Sequence, residues 1–388
     1  MIKDILVDTC FGETRVAIIE DGEPVEIYIE AAGCEKLAGN IYRGKVERIL
    51  PGMQSAFVDI GTGKNAFLYT DDIIKSRDLI LAQTAKIENL VSQGQEITVQ
   101  VVKEALDNKG SRVTTDIKLP GRLVILTPLT TGIGVSKKIK SPDEKERLRQ
   151  IAENLCPEGS GIIVRTAAEG KQSEELEADI KGLLKLWKSI SDKEERGSVP
   201  RCIYSEPGVI YKLVRDHIDS DLHRFIINDR VEYEKLLELL DAVSPVIKLK
   251  VELFCKDYDM FEYYHIDTAV SKALARKVWL KSGGYLVFDK TEALTVIDVN
   301  TGKYVGKNTL EETMLKTNEE AALTVAKQIR LRNISGIILI DFIDMKDTSH
   351  KERLLSVLRE AVKTDSSKVT VVGMTNLGLV ELTRKKVR

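Results

Sequence analysis

The chain has 388 residues, of which 43% are apolar and 30% are charged, and its formal net charge is −2. This length exceeds what one typical hydrophobic core organises and predicts about two to four domains. The balanced charge excludes a strongly basic nucleic-acid-binding protein, although a local basic groove is compatible with a neutral total.

The sequence shows no pattern of a membrane span, a signal peptide or paired cysteines. No apolar run reaches the length of a membrane span, and the first residues lack the cationic and apolar regions of a signal peptide. The five cysteines are scattered and contain no Cys-x-x-Cys pair, which indicates reduced thiols and no zinc site. We therefore expect a cytoplasmic protein.

The first part of the chain reads as β structure. Residues 1–35 predict a hairpin, with strands at 5–8, 14–19 and 25–29 and a turn at Asp21-Gly22. Residues 39–118 contain short, closely spaced strands with glycine-rich turns, and helix is expected only near 73–90. Strands spaced in this way are typical of a small barrel.

The rest of the chain mixes strands and helices. Strands are expected at 122–126 and 161–165, around a charged helix near 143–154, and the apolar spacing of 173–191 predicts an amphipathic helix. The charged run 193–200 is a candidate boundary. The part beyond a mixed region ending near 280 alternates strand and helix, as in an α/β or α+β layer.

Two apolar strand-like runs, 294–300 and 337–345, contain acidic residues. Strand alternation places Asp298 and Asn300 on one face, whereas Asp341 and Asp344 should point to opposite faces. We expect these carboxylates to be buried, which is costly unless something neutralises them. A hard cation held by Asp298, Asn300 and one acid of the second run would do so, and few oxygen donors suit Mg²⁺. The alternatives are a structural ion pair or a position at a strand end.

A helix is predicted between these two runs. Its start, Thr309-Leu-Glu-Glu312, fits a capping box. An apolar stripe follows at Leu310, Met314, Ala321, Val325 and Ile329. Such a helix returns the chain to a neighbouring strand, which makes a metal shared by Asp298 and Asp341 plausible, although spacing alone does not determine their distance.

Two further patterns indicate nucleic-acid binding, each with an alternative. Phe57 and Phe67 lie in the barrel region near several cations and could stack bases, or they could fill the barrel interior. Arg165 and Thr166 place a guanidinium beside a hydroxyl at a strand end, which suits a terminal phosphate. A surface ion pair is the common role of such an arginine.

Taken together, these segments resemble the bacterial ribonuclease E/G family over nearly the whole chain. The most specific matches are TEALTVIDVN (291–300), KTNEEAA (316–322), QIRLRN (328–333) and IDFIDM (340–345). Residues 56–59, 163–167 and 378–384 add supporting matches. Many long matches in the same order are far more specific than a short motif.

The resemblance implies an α+β multidomain fold. Its expected parts are a ribonuclease-H-like scaffold (1–35 and 206–278), an inserted OB-fold RNA-binding barrel (36–118), a 5′-sensor domain (119–205) and a deoxyribonuclease-I-like catalytic domain (279–388). The implied activity is endonucleolytic hydrolysis of single-stranded RNA in RNA processing and decay, leaving a 5′-monophosphate and a 3′-hydroxyl.

The resemblance also implies roles for individual residues. Asp298 and Asp341 match the family's Mg²⁺ ligands, and Asn300 matches its supporting amide, so these three are the expected catalytic residues. Asp344 is then expected to be structural. The implied RNA contacts are Phe57, Phe67 and Lys109, to which we add Lys103 as a nearby cation of the barrel region, and the implied 5′-phosphate sensor is Arg165 with Thr166.

One departure concerns zinc. Family members usually continue past the motif at 383–385 into a paired-cysteine segment that shares zinc between two protomers, and this sequence has no such cysteines. We therefore expect Mg²⁺ and no zinc. The expected partner is single-stranded RNA, a homo-oligomer without a zinc link stays open, and no membrane span is expected.

Overall fold

A computed structural model describes residues 2–10, 12–31, 37–73, 86–104, 110–217, 222–243, 248–302 and 310–385. The fold is a mixed α+β structure with two compact units. One unit comprises Met1–Gly33 and Ser220–Arg388, and the other comprises Cys34–Asp219. Among the residues described, no helix combines the length and the apolar character that crossing a membrane requires.

The first unit opens with three antiparallel strands, β1 (Lys3–Cys10), β2 (Glu13–Glu20) and β3 (Glu23–Ala31). The predicted hairpin is confirmed. Its turn has positive φ angles at Asp21 (49°) and Gly22 (83°). Tight hairpin turns need this backbone conformation, which glycine and aspartate tolerate better than most residues.

The second unit begins with a closed barrel. Its elements are β4 (Ile41–Leu50), β5 (Ser55–Asp59), β6 (Ala66–Tyr69), α1 (Ile87–Leu90), β7 (Glu96–Lys103) and β8 (Arg112–Thr114). The strands pair in the order β4-β5-β6-β8-β7, and β7 pairs back to β4. Alternate residues such as Ala56, Val58 and Leu68 fill the interior. The predicted barrel is confirmed, while most of the helix expected near 73–90 lies outside the described residues.

A small α/β layer completes this unit. Its elements are β9 (Leu119–Pro120), β10 (Val124–Thr127), β11 (Gly132–Val135), α2 (Pro142–Leu155), β12 (Gly161–Val164), α3 (Ser173–Glu194), β13 (Arg201–Tyr204) and α4 (Val209–His217). The sheet order is β11-β12-β10-β9, and β13 pairs with β4. Leu148 of α2 and Leu176 of α3 share a core with Leu126 and Val164 of the sheet. Both predicted helices are therefore confirmed.

The chain then adds two strands to the sheet of the first unit. The elements are β14 (Leu222–Ile227), α5 (Arg230–Val243), β15 (Val251–Leu253), α6 (Met260–Tyr263) and α7 (Ile266–Leu274). The order β15-β14-β1-β2-β3 places β1 at the centre, with β14 parallel to it. This sheet therefore joins segments more than 200 residues apart in sequence.

The last elements form the sheet that carries the two acidic strands. They are β16 (Lys277–Trp279), β17 (Tyr285–Lys290), β18 (Leu294–Asn300), α8 (Leu310–Leu331), β19 (Gly336–Asp341), α9 (Thr348–Ala361), β20 (Val369–Met374) and β21 (Val380–Arg384). The order is β16-β17-β18-β19-β21-β20. Strands β18 and β19 are parallel, and α8 is the crossover that such a pair requires.

Helices α8 and α9 cover one face of this sheet. The predicted stripe is buried at Ala321, Val325 and Ile329, which pack with Leu354 and Leu358 of α9. The predicted crossover helix is therefore confirmed, while Thr309 and the side chain of Leu310 lie outside the description. We call the opposite side of the sheet the open face, because its side chains are exposed or half-buried.

Candidate active site

Asp298 and Asp341 lie side by side on the open face. They are in register on the parallel strands β18 and β19, and neighbouring strands lie about 4.8 Å apart. Asn300 follows Asp298 by two residues and so shares its face. Its Nδ2 donates a hydrogen bond of 2.7 Å to Oδ2 of Asp298. The structure thus brings together the three residues predicted as catalytic.

The acids are exposed, so the expectation that they are buried is wrong. The buried residues of β18 are Thr295, Ile297 and Val299, which face α8, whereas Asp298 and Asp341 point away from it. The apolar character of the run comes from the covered face alone. The case for a cation therefore rests on repulsion between the carboxylates and not on their burial.

Asp344 joins this acidic group. Strand β19 ends at Asp341, so strand alternation does not extend to Asp344. The expectation that Asp341 and Asp344 point to opposite faces assumed one continuous strand, and that assumption is wrong. Partial desolvation, together with the negative charges of Asp298 and Asp344, raises the pKa of Asp341. Crowded negative charge of this kind favours a bound cation.

The donor set fits a sparsely ligated hard cation. Among the residues that the structure describes, no cluster of three or more His, Cys, Asp or Glu side chains has the arrangement of a metal site. Two carboxylates and one amide are few ligands for an all-protein cage. They do match Mg²⁺, which uses one or two carboxylates and keeps waters and substrate phosphates as its other ligands.

A row of cationic and aromatic side chains crosses the outer face of the barrel, with two adjacent aromatic residues between cationic ones. Successive residues in this cross-strand row pair in register, in the order Arg48, Phe57, Phe67, Arg112 and Lys103. The two phenylalanine rings have centroids 4.7 Å apart. The row therefore spans β4, β5, β6, β8 and β7.

The row lies outside the barrel core. Phe57 and Phe67 are half-buried, whereas Ala56 and Leu68 are fully buried. The alternative that both phenylalanines fill the barrel interior is therefore wrong. The side chain of Lys103 is exposed. Lys109, the remaining predicted RNA contact, lies outside the described residues.

Tyr69 extends the aromatic surface by one ring. It lies two residues after Phe67, and the two ring planes are inclined by only 16°, with centroids 6.3 Å apart. The guanidinium carbon of Arg112 lies 5.2 Å from the Tyr69 ring centroid, and Asp72 holds that guanidinium through two hydrogen bonds of 2.6 and 2.9 Å. The rings and the cation are thus fixed relative to one another.

Arg165 is held at the end of β12 by two partners. One Nη donates to the Gly121 carbonyl and the other to Oδ1 of Asp216, both at 2.6 Å. Burial would raise the pKa of Asp216, but the hydrogen bonds and charges of Arg215 and Arg165 outweigh it and lower the pKa below its usual value. The ion pair expected as the common role of Arg165 is therefore present, and two of the five N–H donors of the guanidinium are used in these bonds.

Thr166 faces a second hydroxyl beside exposed lysines. Its Oγ1 lies 2.9 Å from Oγ of Ser136. Ser136 leads directly into Lys137 and Lys138, which are exposed. The turn after Thr166 is tied to α2, because the Gly170 amide donates to Oε1 of Glu144 at 2.8 Å. Two hydroxyls, a guanidinium and two nearby ammonium groups give this edge the donors that bind an anion.

Many proteins that act on phosphates could carry these groups, and comparison with known proteins shows to which family the chain belongs. The model of the ribonuclease E/G family matches residues 118–387. Ribonuclease G of Escherichia coli (strain K12) is 42% identical over 394 aligned positions, which cover 100% of this chain and 81% of that protein. The chain belongs to the ribonuclease E/G family. The predicted resemblance is confirmed, and with it the enzyme class of the ribonucleases.

Other members of the ribonuclease E/G family agree with this assignment. Ribonuclease G of Haemophilus influenzae is 42% identical, and the alignment covers 99% of this chain and 80% of that protein. Ribonuclease E of the same organism is 35% identical over 96% of this chain, but only 40% of that protein is covered. The similarity to ribonuclease G therefore extends over most of both chains.

In this ribonuclease E/G family member, several residues that lie beside the predicted ones were not predicted from the sequence. Tyr69 could have been found, because it lies on the same strand face as Phe67. The pairing of Arg112 with Phe67 could not, because it depends on β6 pairing with β8. Asp216, 51 residues after Arg165, left no local signal in the sequence either.

Proposed function

We propose that this chain is a Mg²⁺-dependent endoribonuclease that cleaves single-stranded RNA in RNA processing and decay. Its products would carry 5′-monophosphate and 3′-hydroxyl ends. The observation that carries the proposal is the in-register pair of Asp298 and Asp341 on the open face, with Asn300 bonded to Asp298. Membership of the ribonuclease E/G family supports RNA as the substrate.

The residues of the site would have separate roles in hydrolysis. Asp298 and Asp341 would hold Mg²⁺, which when bound supplies electrostatic stabilisation to the scissile phosphate. The Asn300 amide orients the Asp298 carboxylate, and its carbonyl oxygen can orient the attacking water. Water attacks the phosphorus, the bond from phosphorus to the 3′-oxygen breaks, and that oxygen takes up a proton. The phosphate therefore stays on the 5′ end of the downstream product, and the upstream product ends in a 3′-hydroxyl.

The cross-strand row on the barrel would bind the unpaired strand. Single-strand-binding barrels stack bases on aromatic rings while cations follow the phosphates. Phe57 and Phe67 offer adjacent half-exposed rings, and Lys103 and Arg112 lie beside them in the same row. Because bases in a duplex are already stacked and paired, this surface favours single-stranded RNA.

Arg165 and Thr166 would bind a 5′-terminal monophosphate. Asp216 and the Gly121 carbonyl fix the plane of the guanidinium, and a fixed planar fork suits a phosphate. The Thr166 and Ser136 hydroxyls add neutral donors, and the exposed Lys137 and Lys138 add positive charge. A monophosphate would therefore be recognised by several donors on a rigid edge.

The domain arrangement belongs to the same proposal. We assign a ribonuclease-H-like scaffold to 1–35 and 206–278, an OB-fold domain to 36–118, a 5′-sensor domain to 119–205 and a deoxyribonuclease-I-like domain to 279–388. The closed barrel and the two-unit division support the separation of the inserted part. We also propose a cytoplasmic location, which agrees with the scattered cysteines and the lack of a Cys-x-x-Cys pair.

A substrate panel tests the proposal. The protein is incubated with labelled 5′-monophosphorylated single-stranded RNA, the matched DNA and duplex RNA, each with Mg²⁺ or with EDTA. We expect cleavage of the single-stranded RNA with Mg²⁺ only, and products that accept ligation at their 5′ ends. Binding of the RNA without cleavage would indicate an RNA-binding protein, and preferential cleavage of DNA would indicate a deoxyribonuclease. Either result would overturn the proposal.

A further inference from the structure

An aromatic and cationic cluster lies beside the acids on the open face. We call it the tryptophan platform, and it consists of Trp279, Tyr285 and Lys277. Trp279 pairs in register with Tyr285, and Tyr285 pairs in register with Asn300. Residues directly opposite each other in an antiparallel pair share a face. Trp279 therefore lies two strand spacings, about 10 Å, from Asn300 on the catalytic face.

A second row of paired residues brings a positive charge toward the acids. Lys277 pairs with Val287, which pairs with Asp298, which in turn pairs with Asp341. The Lys277 Nζ lies 4.1 Å from the Trp279 ring centroid and 3.4 Å from that of Tyr285. Contacts of an ammonium with two rings hold it in place.

The core gives no reason for the position of Trp279. Its side chain is 64% exposed, whereas its neighbour Val278 packs against the core on the covered face. Single exposed apolar residues are common. Here, however, the exposed ring contacts a fixed cation and lies in the same row as a predicted catalytic amide. These are the components of a nucleotide-binding surface, because every base has a face that can stack and every link is an anion.

We propose that the tryptophan platform binds a nucleotide adjacent to the scissile phosphate, with its base stacked on Trp279 and a neighbouring phosphate on Lys277. This inference rests on the proposed function and adds a subsite to it. Because the ring needs an unpaired base, the platform selects single-stranded RNA at the point of cleavage itself. Stacking tolerates every base, so the subsite constrains strandedness more than sequence.

Binding measurements in EDTA test the platform without cleavage. The probe is a short, fluorescein-labelled, 5′-monophosphorylated single-stranded RNA, followed by anisotropy. Trp279→Ala should weaken binding about 5- to 150-fold, the range for one lost stacked base, and raise KM more than it lowers kcat. Trp279→Phe should retain most of the affinity. Tyr258→Ala, at a 48% exposed aromatic outside the catalytic sheet, is the matched control and should bind normally.

A spectroscopic readout and an abasic scan locate the contact. The sequence has two tryptophans, so Trp187→Phe leaves Trp279 as the sole indole, and its fluorescence should change when this RNA binds. RNAs with one abasic nucleotide should bind the wild type worst when the gap lies next to the cleavage site. Trp279→Ala should be insensitive to that gap.

Several outcomes would overturn the platform alone. They are equal RNA affinity of Trp279→Ala and the wild type, unchanged Trp279 fluorescence, or altered self-association of Trp279→Ala in sedimentation with normal RNA binding. Failure of the proposed function is seen separately, as absence of Mg²⁺-dependent cleavage by the wild type or retention of it by Asp298→Asn. The two failures are therefore distinguishable.

Discussion

Replacing Phe67 by alanine separates RNA binding from folding on the barrel. Truncating an aromatic residue in a packed core to alanine lowers the free energy of unfolding by about 3–5 kcal/mol. Phe67 is half-buried on the outer face and touches Phe57 with ring centroids 4.7 Å apart. Loss of such an aromatic pair costs about 0.5–1.5 kcal/mol beyond its buried area, so we expect a stability loss below the core range.

RNA affinity should respond more strongly than stability in Phe67→Ala. One lost stacked base costs about 1–3 kcal/mol, or about 5- to 150-fold in Kd. Anisotropy with a single-stranded RNA in EDTA measures the affinity, and urea denaturation measures the stability.

Leu68→Ala is the matched control for Phe67→Ala. Leu68 is the next residue on the same strand and is fully buried in the barrel. Its truncation should cost about 2–5 kcal/mol of stability and leave the affinity of the folded protein nearly unchanged. If Phe67→Ala instead loses as much stability as Leu68→Ala and binds RNA normally, the outer-face role of Phe67 is refuted.

Three further predictions concern the 5′ sensor, a buried ion pair and pH. Arg165→Ala should bring the cleavage rates of 5′-monophosphorylated and 5′-triphosphorylated RNA closer together in matched time courses, because the phosphate loses its planar donor. Asp365→Ala leaves the Arg384 guanidinium, of which only 1% is exposed, without its carboxylate partner; urea denaturation should show a loss of about 3–5 kcal/mol. Hydrogen bonds from Arg147 and from the Gly170 amide lower the pKa of Glu144 from 4.5 to about 2. Its contribution to stability is therefore complete above about pH 4.5 and is lost as the pH falls toward 2, and NMR titration of its carboxyl group measures this pKa.

Each of these predictions has a control. Arg165→Lys keeps the charge without the fork, and an unchanged substrate ratio in Arg165→Ala would exclude the sensor role. Asp289→Ala breaks an exposed ion pair with Arg276 and should barely move the urea midpoint; an equal loss there would contradict the burial argument for Asp365. Glu144→Gln should reduce the loss of stability below about pH 4.5. If the Glu144 carboxyl of the wild type titrates near its usual value, the hydrogen bonds to it are not formed.

Local periodicity predicted the elements that position the residues proposed as catalytic. The alternation of β18 placed Asp298 and Asn300 on one face, and the spacing of Ala321, Val325 and Ile329 predicted the covering helix. These patterns are readable because strand and helix periods are properties of adjacent residues. The closed barrel was also predictable from its short strands, although its pairing order was not.

The environment of the same residues depends on distant parts of the chain. The apolar run around Asp298 predicted burial, but periodicity does not tell which face of a sheet a helix will cover. Arg330 is buried by contacts with Glu20 and Glu26, about 300 positions earlier in the sequence. Such contacts leave no local pattern, because they arise only when separate segments pack together. The expectation of a cation at Asp298 came from the local pattern, whereas the choice of Asp341 over Asp344 came from the family resemblance.

The most direct test of the central claim is cleavage of single-stranded RNA by Asp298→Asn as Mg²⁺ is varied. The substitution keeps the shape of the side chain and removes its charge. We expect RNA binding to be retained and cleavage to fall by more than the roughly 10- to 100-fold that loss of an outer-shell metal partner costs. Asp289→Asn, an exposed acid elsewhere on the same sheet, should cleave normally. Mg²⁺-dependent cleavage by Asp298→Asn at the wild-type rate would contradict the assignment of the open face as the catalytic site.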